Sequence, residues 1–130
     1  MAKTVLLNDE SRPRFQLLLD TLREEFQPRN EIELGLVDTL AITKWRQMRV
    51  WALETSAVND KITLLAKDSE QSDPTALAAT AYRLMSDESN FLQLMARYDT
   101  RFDRQYNRTL DRLMRLRKRK KSDFCQANPI

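Results

Sequence analysis

A single glycine, Gly35, in a chain of 130 residues is the tightest constraint on what this sequence can fold into. Sheets need turns, and tight turns lean on glycine, proline, asparagine and aspartate. One glycine and four prolines (Pro13, Pro28, Pro74 and Pro129) are too few for a sandwich or a barrel. The expected fold is therefore all-α. Charged residues make up 32% of the chain and apolar residues 42%, which suits long helices that each bury one apolar stripe.

The punctuation of the chain agrees. Asn8 to Ser11 is a cluster of helix-starting residues, and Pro13 fits a first turn. Phe15, Leu18, Leu19 and Leu22 follow at helical spacing, and Pro28 stops this helix near Phe26 by pushing Gln27 away from helical angles. Asn30 caps a second helix with Glu31 and Glu33 in its first turn. Its stripe is Val37, Ala41, Trp45, Met48, Ala52, Val58, Ile62 and Leu65, from about residue 31 to about 66, roughly 50 Å at ~1.5 Å per residue. Asp68 to Asp73 reads as a loop, and Pro74 opens a third helix through Leu77, Ala81, Tyr82 and Met85. Ser86 to Ser89 marks a break, with Ser89 capping a fourth helix; one uninterrupted helix is the alternative. Phe91, Met95, Tyr98, Phe102, Thr109, Leu113 and Leu116 carry the last stripe.

These elements predict an antiparallel, coiled-coil-like hairpin of two long helices, with one or two shorter helices packed alongside. Counting outward from a loop near residue 70 sets Trp45 opposite residues 95 to 98. Residues 1–121 are expected to form one helical domain, and 122–130 a disordered tail. Stripes of this length predict self-association into a homo-oligomer.

Several function classes are disfavoured. Histidine, the commonest general base and metal ligand, is absent, and the one cysteine is Cys125. Ser-His-Asp, Cys-His and zinc chemistry need residues this chain does not have. A carboxylate site for magnesium or manganese needs only oxygen ligands. The carboxylate pairs (Glu24 with Glu25, Glu31 with Glu33, Asp87 with Glu88) look instead like helix-end electrostatics. The expectation is no enzyme, no cofactor, no metal and no small-molecule substrate. No run of about 18 apolar residues exists, and Met1 to Leu7 is too short for a signal peptide, so a cytoplasmic protein without a membrane partner is expected.

Charge is unevenly spread. Residues 1–100 hold 12 Lys and Arg against 16 Asp and Glu, giving −4, while residues 101–130 hold 10 against 3, giving +7. Arg108, Arg112, Arg115, Arg117, Lys118, Arg119, Lys120 and Lys121 form a candidate contact for DNA or RNA phosphates. The alternatives are a solvated basic face, pairing with the acidic part of another copy, or cations that complement the end of a helix dipole. Elsewhere, Trp45-Arg46-Gln47-Met48-Arg49-Val50-Trp51 sets two guanidiniums on one helix face without an acidic neighbour three or four residues away. Asp99 and Asp103 are the partners expected from the facing helix, so Arg46, Arg49, Asp99 and Asp103 predict a structural ion-pair layer rather than a ligand site.

Two blocks also carry a likeness. Thr4 to Leu7, Phe15 to Pro28 and Glu33 to Arg49, with Trp45-Arg46, resemble the core of a widespread family of helical bacterial proteins. Arg97-Tyr98-Asp99-Thr100-Arg101-Phe102-Asp103-Arg104-Gln105-Tyr106-Asn107-Arg108-Thr109-Leu110 is similar to that family's second signature, an Arg-Tyr-acidic stretch leading into a basic helix. The family has no established activity, so the resemblance implies a fold and no chemistry. Its members often carry a basic leader before the first block, and this chain begins at Met1-Ala2-Lys3. The leading expectation is a helical accessory protein that binds nucleic acid through its basic last helix; the alternative is a scaffolding homo-oligomer with no nucleic-acid partner.

Overall fold

The computed structural model describes residues 5–68 and 73–127, with the side chains of 68 and 120–127 outside the description. It is all-α, with four main helices: α1 (Arg12–Phe26), α2 (Glu31–Asp68), α3 (Pro74–Glu88) and α4 (Phe91–Ala127). Each start is chemically marked. Ser11 Oγ accepts from the Arg14 amide at 3.3 Å, with Pro13 in the first turn of α1. Asn30 Oδ1 accepts from the Glu33 amide at 2.9 Å, and Asp73 Oδ1 accepts from the Thr75 amide at 3.2 Å. These caps satisfy amides that the first turn of a helix leaves without partners.

The stops are equally local. Gln27 ends α1 in the left-handed region (φ 48°, ψ 65°), and its amide donates to the Arg23 carbonyl at 2.9 Å. Its side-chain Nε2 returns to the Glu24 carbonyl at 2.8 Å, and Pro28 prevents any continuation. The expected break before α4 is present. Ser89 is extended (φ −153°, ψ 162°), and its hydroxyl oxygen accepts from the Phe91 amide at 3.4 Å.

Two compact units form, Met1–Trp45 with Phe102–Ile130, and Arg46–Arg101. In the first, Phe15, Leu19 and Leu22 of α1 meet Val37, Leu40, Ala41 and Trp45 of α2 and Leu113 of α4. The Phe15 and Trp45 rings meet edge to face, with centroids 5.4 Å apart. Arg23 of α1 clasps Asp38 of α2 through two hydrogen bonds of 2.8 Å. The Asp38 carboxylate is the main reason the Arg23 guanidinium holds its proton more tightly than usual. Within this unit α2 and α4 run antiparallel: Glu33 meets Arg117, and Lys44 Nζ lies 4.7 Å from the centre of the Tyr106 ring. Burial first, and Glu25 second, raise the Tyr106 hydroxyl above its ordinary value.

In the second unit, Val58 of α2 packs on Ala81 and Met85 of α3, with Phe91 and Leu92 of α4 alongside. Lys61 Nζ reaches Glu88 at 2.9 Å.

Three expectations need correction. The middle of the α2 stripe was misplaced: Met48 and Ala52 are exposed, and Gln47 and Val50 are buried in their stead. Polar Thr43 and Gln47 occupy buried positions there, so hydrophobicity alone points to the wrong face. The register also differs. Lys44 is level with Tyr106, not with residues 95 to 98, because the break at Ser89 and Asn90 interrupts the helical path on which the count from the loop relied. Finally, α4 runs past residue 121 to Ala127, since no glycine or proline precedes Pro129 in that stretch. Residues 128–130 lie outside the described residues.

Two measurements test this packing. Leu113 is fully buried, so Leu113→Ala should lower unfolding stability in urea by about 2–5 kcal/mol; a loss below about 1 kcal/mol would mean that α4 is not seated as described. Gly35 is exposed in α2, and an added Cβ there meets nothing within 4 Å. Gly35→Ala should therefore stabilise by about 0.5–1 kcal/mol through helix propensity, and a destabilisation would contradict the helical geometry at that position.

Candidate nucleic-acid interface

The stretch of α4 from Phe102 onward has a sharply divided surface. Phe102 and Leu113 are buried, and Tyr106, Thr109, Leu110, Leu116 and Arg117 are half-buried. These positions share one face of the helix, which beds on α1 and α2. Arg104, Arg108, Arg112, Arg115 and Arg119 are all exposed and follow one another at steps of four, four, three and four. That spacing stacks them along the opposite face. The ridge extends about 22 Å at ~1.5 Å per residue. Lys118 is exposed beside it. The side chains of Lys120 and Lys121 lie outside the described set, although α4 itself continues through them.

Among the described residues, the ridge has few acidic neighbours on its own helix. Asp111 Oδ2 pairs with Arg115 Nη2 at 3.0 Å, but both side chains are mostly exposed, at 59% and 80%. Such a pair is worth little and opens readily to another anion. Asp103 is exposed on the flank, where Asn107 donates to it at 3.4 Å. The helix dipole does not account for the run of cations either. That effect is confined to the last turn, and α4 carries no basic residue in its last turn.

Arg117 belongs to a different structure. It stands four residues after the buried Leu113 and seven after Leu110, in phase with the core rather than with the ridge. Its Nε donates to Glu33 Oε1 at 2.9 Å, and the Glu33 side chain is only 1% exposed. Its Nη2 donates to the carbonyls of Phe26 and Gln27 at the end of α1. Of the basic residues that sequence groups into one contact, this one is engaged in holding α1, α2 and α4 together. The missed signal was phase: a cation at the spacing of the core leucines should be read with them.

From Arg46 onward the Trp-Arg block lies in the second unit together with Asp99. Asp99 Oδ1 accepts from Gln47 Nε2 and from Trp51 Nε1, each at 2.9 Å. The Trp-Arg block does engage Asp99, then, through an amide and an indole that sequence did not single out. Arg46 is exposed and Arg49 half-buried in this second unit, while Asp103 falls in the first. Trp51 is exposed and lies off the core stripe, and Trp45 lies within it.

Among the described residues, no group of three or more Cys, Asp or Glu is placed to hold a metal ion. No helix is long and apolar enough to cross a membrane. Comparison with protein-family models, curated proteins and solved structures gives no match. The likeness of the two sequence blocks therefore transfers no activity to this chain, and the ridge must be judged on its own chemistry.

The Arg117 clasp is open to a double-mutant cycle. Arg117→Met should cost about 3–5 kcal/mol, because it strands a buried carboxylate. Adding Glu33→Leu should recover most of that loss. If Arg117→Met alone costs less than about 1 kcal/mol, the pair is a surface contact and the clasp is wrongly assigned.

Proposed function

We propose that this protein binds nucleic acid through the exposed arginine ridge of α4, acting as an accessory protein and not as a catalyst. The observation that carries this reading is geometric. Five guanidiniums lie in one line on an exposed helix face, with one weak carboxylate pairing among the described residues. Guanidinium is the cation best suited to phosphate, since its planar fork makes two parallel hydrogen bonds and keeps its charge at any physiological pH. A membrane surface is a poorer fit. Anionic lipid binding wants bulky apolar residues beside the cations, and Met114 is the one large apolar side chain exposed among residues 103–119. The same reading places the chain in the cytoplasm, where nucleic acid is available to it.

A second reading has its own support. In the second unit Met48, Trp51, Leu53, Leu94 and Tyr98 are all exposed by more than a third. Apolar side chains in that number favour a further copy of the chain as partner. The two readings are compatible, because they use different units.

The ridge reading is tested by fluorescence anisotropy with labelled DNA and RNA. Replacing Arg108 and Arg112 together by Gln should weaken binding to all sequences about equally and lower the salt slope by about two. Neutralising these residues is preferable to truncation, because a cut before Arg117 would also remove the clasp on Glu33. Unchanged affinity in the double variant, or no binding by the intact protein at low salt, would exclude the ridge as the contact.

A further inference from the structure

The first unit buries or covers all of its described aromatic rings. Phe15, Trp45 and Phe102 are buried. Phe26 and Tyr106 are half-buried, and Lys44 covers the Tyr106 ring. The exposed rings elsewhere in the chain, Trp51, Tyr82 and Tyr98, belong to the second unit. Within its own unit the ridge thus offers cations and, among the described residues, no exposed ring on which a base could stack.

That absence bears on which form of nucleic acid fits. Proteins that hold single strands draw about 1–3 kcal/mol per base from aromatic rings on which the bases stack. A site without rings has charge alone to work with. Charge is denser on a duplex, which carries one phosphate per ~1.7 Å of axis, against ~3.4 Å along one strand. Each cation that neutralises a duplex phosphate also releases more condensed counterion, about 0.9 per contact instead of about 0.7. A straight line of guanidiniums on one side of a rigid helix further suits a rigid partner, since a flexible strand must lose conformational freedom to follow it.

We infer that the ridge of Arg104, Arg108, Arg112, Arg115 and Arg119 takes the phosphate backbone of a duplex in preference to a single strand. This rests on the nucleic-acid reading and adds the class of partner. The preference is electrostatic in origin, so it grows as salt falls. With five contacts, duplex affinity should rise about 500-fold between 200 and 50 mM salt, and single-strand affinity about 130-fold.

The test uses the full chain, with a labelled 20-nucleotide DNA duplex and its labelled single strand, titrated at 50, 100 and 200 mM salt. Tighter binding of the duplex at 50 mM, with the steeper salt slope, is the expected result. Equal or tighter binding of the single strand would overturn the duplex preference while leaving the nucleic-acid reading intact. No binding of either at 50 mM would overturn both. Phe124, whose side chain lies outside the described set, is replaced as a control. Phe124→Ala should leave both affinities within about twofold, and a selective loss for the single strand would show that a ring takes part and that charge alone does not decide.

Discussion

The Arg117 to Glu33 contact is the interaction on which the first unit depends. A carboxylate that is 1% exposed is tolerable only when paired, because desolvation costs several kcal/mol per ion even after relaxation. Arg117 supplies that pairing and also engages the Phe26 and Gln27 carbonyls. Those carbonyls have no partner further along α1, which ends in the left-handed turn at Gln27. One side chain thus joins the end of α1, the first turn of α2 and the body of α4. The capping of Asn30, the stop at Pro28 and the seating of Leu113 all serve to bring these three pieces to one place.

The same contact sets register. From Glu33, eleven residues along α2 lead to Lys44, and eleven residues back along α4 from Arg117 lead to Tyr106. Lys44 and Tyr106 meet, so the two segments run about three turns without a slip. Leucine and valine stripes tolerate sliding by a turn, since one apolar contact resembles the next. A buried ion pair does not, because a one-turn slip leaves a carboxylate in the core without its cation. Specifying register is the best-supported role for such pairs, whose net contribution to stability is small.

How much of this was legible in the sequence follows from what each signal measures. Capping and stopping are local, so Ser11, Gln27, Pro28, Asn30, Pro74 and Ser89 were placed from residue type alone. The apolar stripes were legible where the buried face is apolar, as at Val37, Ala41 and Trp45. They failed at Gln47, where the buried face is polar. Register was not legible, because it depends on the loop and the break, whose paths no stripe encodes. Nor were the Gln47 and Trp51 donors to Asp99, since an amide and an indole N–H leave no mark in the charge pattern. The basic run was legible as a charge and not as two populations.

That division of the arginines is the strongest argument about purpose. Arg117 sits in phase with Leu110 and Leu113 and has a structural partner. Arg104, Arg108, Arg112, Arg115 and Arg119 sit opposite and repel one another along the helix. Like charges three or four residues apart destabilise a helix by about 0.2–0.5 kcal/mol per pair, and the ridge contains four such pairs in succession. The exposed Asp111 contact with Arg115 offsets only part of this. Solubility asks for charge of either sign and is better served by mixing them. Packing does not require the ridge, because its members are exposed, and the helix dipole does not either, because α4 ends beyond it. A polyanion laid along the ridge would remove the repulsion and turn an internal cost of α4 into binding energy. Under the proposed nucleic-acid reading, all five positions, and not merely their total charge, then have a reason.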